Sequence, residues 1–185
     1  MSMLGSAPLP APMAEEPIAP DAVVLDTRFG RFAFDPAQAI EFPRGLLGFP
    51  AHRTFGLTSL PDARLRQFML LQSLSDANLS FLVLPVVDGD GPISPEDLAA
   101  ARKDLDISKE DLAVVLIVSI RRVAGETQIS VNLRAPVLMD AGRRTGAQVV
   151  LPSGNYPVRH VLVARPTEAP AEIKPAFTGT SDNSP

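Results

Sequence analysis

Residues 112–133 read Leu-Ala-Val-Val-Leu-Ile-Val-Ser-Ile-Arg-Arg-Val-Ala-Gly-Glu-Thr-Gln-Ile-Ser-Val-Asn-Leu. Leu112 to Ile120 is the longest apolar run of the chain, broken only by Ser119. A bilayer span needs about 20 apolar residues, so this run is a buried strand and not an anchor. The strand continues to Val123. Ala124-Gly125-Glu126 then turns it back into a second strand over Thr127–Leu133.

Most other signals around this hairpin are also strands. Ala22–Leu25 and Arg31–Phe34 flank Thr27-Arg28-Phe29-Gly30 as a second hairpin. Ala39–Phe42, Thr54–Thr58, Gln67–Ser73 and Leu79–Val87 follow, the last two separated by the turn-like set Leu74–Asn78. Val137–Asp140, Gln148–Leu151 and Val158–Val163 complete the strands, with Gly142 to Gly146 and Pro152 to Asn155 as turns. One segment is helical. Ser94 is placed as an N-cap, Pro95 as the first helical residue, and Glu96 and Asp97 lie where the helix dipole favours acids. Leu98 to Arg102 continues it, and a second helical turn is expected from Ser108. The reading is a mainly β fold, a small antiparallel β-barrel-like single domain with one or two short helices.

The chain has 185 residues, of which 45% are hydrophobic, enough for one domain with a sizeable core. It has no cysteine, which excludes disulfides and thiolate metal sites. The N-terminus lacks a basic start and a long apolar run, so it does not read as a signal peptide, and a cytoplasmic protein is expected. The net charge of −4 lies wholly in the two ends: residues 1–20 and 166–185 each sum to −2. Those ends also hold nine of the 19 prolines and are expected to be disordered tails. The folded domain is expected over residues 21–165. Its neutral balance lacks the basic stripe of a nucleic-acid binder.

The inventory for catalysis is thin. The two histidines are His52, read as part of an exposed loop, and His160, in a strand pattern. No histidine pair at helix spacing, Gly-x-Ser-x-Gly or His-Glu-x-x-His occurs. Asp88-Gly-Asp90 resembles the start of a calcium loop, but position 12 would be Ala99 where a glutamate is needed. Glu96, Asp97, Asp104 and Asp106 read as a solvated helix face, and Glu110-Asp111 is a further acidic pair. No catalytic residue, cofactor or metal is expected. The basic pairs Arg121-Arg122 and Arg143-Arg144 are split between strand faces or turns, and aromatics are 5% with no tryptophan. Stacking platforms for single strands are therefore poorly supplied, and direct nucleic-acid binding is not expected.

Glu41-Phe-Pro-Arg-Gly-Leu-Leu-Gly-Phe-Pro50 invites a phosphate-loop reading. It fails, because Gly45 and Gly48 are three apart, no Lys-Ser follows, and Pro50 stands where a helix would start. What remains is a rigid turn. Pro43 fixes one dihedral, and the glycines allow positive φ. Such a turn either closes a barrel end or offers a docking surface.

Phe42-Pro43-x-Gly45-Leu46-x-Gly48-Phe49 resembles the hallmark of the flagellar assembly factor FliW family. The likeness continues in order through Phe55 and Leu57, Leu70-Leu71-Gln72-Ser73, Leu79-Ser80-Phe81 and Pro85. Val131-Asn132-Leu133-Arg134-Ala135-Pro136-Val137 is similar to the family's most specific element. Gln148–Leu151 and Tyr156–Arg159 resemble its C-terminal pattern.

The resemblance implies a compact, mostly antiparallel β-barrel-like domain without enzyme activity. It implies two protein partners: a CsrA-type RNA-binding repressor dimer and flagellin. It also implies a partner switch, in which flagellin sequesters the factor until export frees it to relieve repression of flagellin translation. A flagellin-binding chaperone without a CsrA-type target is the rival reading. Phe42, Leu133 and Ala135 are expected inside, with Pro43, Gly45, Gly48, Phe49 and Pro136 as further motif residues. Arg44, Leu46, Leu47, Asn132 and Arg134 are the expected partner-binding residues. For Arg134 a structural role stays open. The chain departs from the family after Phe81, where Val86 to Ser94 replaces an aromatic and acidic stretch.

Overall fold

The computed structural model describes residues 21–86, 91–152 and 154–162. The expectations for residues 1–20, for Asp88-Gly-Asp90 and for residues 166–185 lie outside this range. Among the described residues, β1 (Val23–Thr27) and β2 (Gly30–Phe34) pair as the expected antiparallel hairpin. The remaining strands make one sheet. They are β3 (Ile40–Glu41), β4 (Thr54–Ser59), β5 (Met69–Ser73), β6 (Ser80–Val86), β7 (Leu112–Val123), β8 (Glu126–Val131), β9 (Val137–Asp140), β10 (Thr145–Gln148) and β11 (His160–Val161).

The sheet order is β11-β8-β7-β6-β5-β4-β3-β10-β9, and β9 pairs again with β7. The strands from β7 through β6, β5, β4, β3, β10 and β9 therefore close into a ring, as the mainly β reading expected. All these pairings are antiparallel except that of β10 with β3, where Thr145 lies opposite Glu41. Closure depends on the length of β7. Its first half pairs with β9 (Val115 opposite Val137), and its second half pairs with β8 (Val118 opposite Val131).

Strand alternation puts a core on each face of this sheet. Leu70, Leu82, Leu116 and Leu138 belong to one cluster; their neighbours Leu71, Val83, Val115 and Val137 belong to the other. The first face is covered by α1 (Pro95–Asp104), through Leu98 and Ala101, and by Phe29 and Phe32 of the β1–β2 hairpin. The second face gathers Phe42, Leu46 and Phe55. Helix α1 starts as expected, with the Ser94 hydroxyl accepting from the Asp97 N–H at 3.1 Å and Pro95 in its first turn.

Several expectations are corrected. Gln148–Leu151 is not a strand; β10 ends at Gln148. The N–H groups of Val149 and Leu151 instead reach the carbonyls of Pro136 (3.0 Å) and Arg134 (2.9 Å). Pro136 has no N–H to return, so a regular ladder cannot form there. Gly146 lies inside β10 and not in a turn, because the Phe42 ring covers it: a Cβ there would come within 2.6 Å of that ring. The segment after Ser108 is a turn, closed by the Ser108 hydroxyl accepting from the Asp111 N–H at 3.1 Å. Two short 3-10 turns, Pro36–Gln38 and Ala63–Leu65, were not anticipated; Asp35 and Asp62 cap them. Asp97 is not merely solvated. Its carboxylate accepts from the Tyr156 hydroxyl at 2.6 Å, which in turn accepts from the Ser94 N–H at 3.0 Å.

Candidate functional site

Three consecutive reverse turns shape the loop after β3. Phe42 O accepts from Gly45 N–H (2.8 Å), Leu46 O from Phe49 N–H (2.8 Å), and Phe49 O from His52 N–H (3.2 Å). Gly45 sits at φ 66°, and a Cβ there would lie 2.3 Å from Phe49 O, so both conformation and space require glycine. The turns bury two side chains four residues apart and leave most of the others outward. Phe42 is fully buried, edge-on to Phe55 with ring centroids 5.4 Å apart. Leu46 is also buried in that cluster, which corrects the expectation that it lies exposed at the tip. Pro43, Arg44, Leu47 and Gly48 are exposed. Phe49 is partly exposed and packs edge-on against Phe81 at 5.4 Å.

The loop between β8 and β9 is built differently. Asn132 Oδ1 accepts from the Ala135 N–H (3.1 Å), and the Asn132 N–H donates to Ile117 O (2.9 Å). Leu133 N–H donates to Pro157 O at 3.1 Å. Leu133, Ala135 and Pro136 are buried, while Asn132 and Arg134 are half-buried. Asn132 is thus first a turn-forming residue, its side chain satisfying a backbone donor within its own loop.

One side chain joins the two loops. Gln148 at the end of β10 accepts from the Leu47 N–H with Oε1 (3.0 Å) and donates from Nε2 to Ala135 O (3.1 Å). The amide has both kinds of group, so it can satisfy a donor on one loop and an acceptor on the other. Sequence reasoning placed Gln148 in a strand and gave it no role. Its only signal was its place in the C-terminal part of the family pattern.

A cleft of about 590 Å³ opens beside this junction, lined by Arg44, Leu47, Asp104, Leu105, Gln148 and Val150. Leu47 is 53% exposed and Val150 is 54% exposed, so two large aliphatic side chains face solvent there. Arg44 and Asp104 add one charge of each sign.

The chemistry-bearing residues are otherwise tied into structure. His52 is half-buried and not in an open loop; its Nδ1 lies 3.3 Å from Ser73 Oγ and 3.4 Å from Ser75 Oγ. Ser73 is fully buried and cannot meet a substrate. No group of three or more metal-ligating side chains is placed to hold an ion among the described residues, and no described helix is long and apolar enough to cross a membrane. Asp140 is 3% exposed and accepts from the Arg143 N–H (2.7 Å) and its Nε (2.7 Å). The backbone bond first, and then the guanidinium, hold its carboxyl below the usual range. Arg143 also reaches Asp106, and Arg144 donates to Ala37 O. The Arg143-Arg144 pair therefore braces the β9–β10 turn.

These features define a mainly β protein whose sheet closes on itself and whose two motif loops meet across one glutamine beside a partly apolar cleft. The sequence profile described as FliW protein matches residues 23–162, and the chain belongs to this family of flagellar assembly factors. It is 31% identical over 153 residues to the flagellar assembly factor FliW of Desulfitobacterium hafniense (strain Y51), covering 80% of this chain and 96% of that protein. It is 33% identical over 145 residues to the flagellar assembly factor FliW of Thermosipho africanus (strain TCF52B), covering 74% and 93%. A crystal structure of the flagellar assembly factor FliW superposes with a TM-score of 0.58 at 23% identity, over 75% of this chain and 95% of that one. That likeness establishes the shared fold.

Proposed function

We propose that this chain is a cytoplasmic, non-enzymatic flagellar assembly factor that works by binding proteins in turn. Its partners are a CsrA-type RNA-binding repressor dimer and flagellin. Flagellin holds the factor until export releases it, and the freed factor then binds the repressor and lifts the block on flagellin translation. Family membership supports the assembly role. The observation that supports protein binding is the pair Leu47 and Val150, both more than half exposed on the rim of one cleft. Exposed aliphatic groups grouped around polar ones suit a protein interface better than a small-molecule site. Arg44, on the same rim, is the polar contact, with Arg134 further along the second loop.

The test is a mixing experiment with the purified full chain, purified flagellin and a CsrA-type protein, read by size-exclusion chromatography. Two separate complexes, with flagellin displacing the repressor, are expected. A flagellin complex without any repressor complex would favour the chaperone reading. Leu47→Glu combined with Val150→Glu should abolish at least one complex while the melting temperature holds. Unchanged binding of both partners would remove the cleft from the interface.

A further inference from the structure

Residues 146–150 present an open backbone edge. Two bonds on one side fix its phase: Val149 N–H donates to Pro136 O (3.0 Å) and Leu151 N–H to Arg134 O (2.9 Å). Bonding directions alternate along a strand, so the odd-numbered residues of this stretch face β9 and the loop before it. The even-numbered residues face the other way. Arg144 meets β3 there, its carbonyl accepting from the Glu41 N–H at 2.8 Å. β3 stops at Glu41, and the Phe42 N–H turns away to Arg53 O (2.6 Å). Beyond that point Gln148 and Val150 turn their N–H and C=O outward, and among the described residues nothing bonds to these groups. An uncovered edge of this kind is a template for another strand. The cleft of about 590 Å³ runs along it, since Gly146 to Val150 all line that space. Its walls rise from opposite faces of the sheet. The turn at 43–47 stands on the face where the Phe42 ring covers Gly146. Ala101, Asp104 and Leu105 of the α1 end stand on the face where Val149 packs.

We propose that this cleft takes an extended segment of a protein partner, added to the sheet as a strand beside residues 146–150. This rests on the reading of the cleft as a protein-binding site. The floor selects the conformation. A helix satisfies its own backbone and leaves the Gln148 and Val150 groups unpaired, whereas an added strand bonds to them. The edge matches about five residues, or about 16 Å of strand. The walls select the sequence, because side chains of the added strand alternate between the two faces. Those on the turn side meet the exposed Leu47 and Val150, with exposed Arg44 beside them. Apolar residues and one acid suit that side. Those on the helix side meet Leu105 and the exposed Asp104. Asp104 stands in the last turn of α1, where the helix dipole disfavours an acid. A basic side chain of the partner offsets both negative sources. The occupant is therefore an extended segment, apolar and acidic on one face and basic on the other.

The experiment is amide hydrogen exchange by NMR on the full chain, alone and mixed with purified flagellin or a purified CsrA-type protein. In a complex the Gln148 and Val150 amides should exchange about tenfold more slowly or better, while Val149 and Leu151, already bonded, change less. The bound partner segment should show the carbon shifts of extended backbone. Val150→Pro removes one of the two N–H groups and should weaken the complex about tenfold. Should that variant fold poorly, exchange in the wild-type chain still decides. Gln148 and Val150 amides that stay as fast in a complex as in the free chain would overturn strand addition, as would helical shifts in the bound segment. The cleft would then remain the binding site if Leu47→Glu with Val150→Glu abolishes that complex. Absence of a complex with either protein would overturn both readings. Protection that rises with the concentration of the chain alone would assign the edge to a second copy and overturn the proposal.

Discussion

The loops at 42–50 and 132–136 hold the two motifs that identify the family, yet they divide their side chains differently. In the first, Phe42 and Leu46 are buried while Arg44 and Leu47 are exposed. In the second, Leu133, Ala135 and Pro136 are all buried, and the Asn132 side chain is used within the loop. The cause lies in the backbone. The first loop is three successive reverse turns, which bury Phe42 and Leu46 and leave the residues between and after them mostly outward. The second is clamped on both flanks, by Pro157 on one side and by Val149 and Leu151 on the other. A strong sequence motif can therefore mark a presented surface or a closed joint. Only the second loop is a joint throughout.

The largest effect expected from this contrast is on stability. Leu133→Ala should cost about 2–5 kcal/mol, as for other buried leucines. Leu47→Ala should stay within about 0.5 kcal/mol, as for an exposed position. Urea midpoints measure both, and a similar cost for the two would break the contrast. Gly146→Ala comes next, because its methyl would press on the buried Phe42 ring that anchors the first loop. Overpacking of this kind costs about 1–3 kcal/mol, readable as a lower melting temperature. Double substitution with Phe42→Leu should recover part of that loss.

Gln148→Ala sharpens the comparison further, since it cuts the link between the loops. It should cost about 0.5–1.5 kcal/mol by denaturation, because water can replace the bond to the exposed Leu47 backbone. If the joint is what orients the first loop, partner binding should fall more than stability does.

The smallest effect is acid dependence of the turn that carries β10 under Phe42. The Asp140 carboxyl is held below its ordinary value of 3.8, chiefly by the Arg143 backbone N–H and then by its side chain. A carboxylate with a lowered folded pKa adds stability above its unfolded pKa and loses it as pH falls through the folded one. Asp62 behaves in the same sense, held at about 2, first by its side-chain bond to Arg64. Stability should therefore decline as pH drops below about 4. Asp140→Asn should flatten part of that decline, measured by thermal melts from pH 5 to 2. The effect stays modest because the Arg143 side chain is half-exposed and screened by solvent.

Much of the fold was legible because strand character is local. Leu112–Val123 and Val137–Asp140 were bounded as they stand, and the Ser94-Pro95 helix start was read from its capping chemistry. The errors share a cause. Gly146 looked like a turn residue because the ring that needs its bareness comes from Phe42, more than a hundred residues earlier. Val149 to Leu151 looked like a strand, but their partners are the carbonyls of a proline-broken loop. His52 looked exposed because Ser73, which holds it, lies at the end of β5, 21 residues further along the chain. At the candidate site, exposure of Arg44 and Leu47 and burial of Phe42, Leu133 and Ala135 were anticipated. The burial of Leu46 was not, because three chained turns decide which way it points.

By itself the sequence determined most element types, which follow from spacing within short windows, and it carried the two motifs whose resemblance to the family marks this chain. Tertiary structure alone decided that β9 returns to β7 to close the ring and that β10 meets β3 in parallel. It alone decided that Gln148 ties Leu47 to Ala135. Those contacts join residues far apart in the chain, and their energy depends on complementary positions that no local pattern encodes.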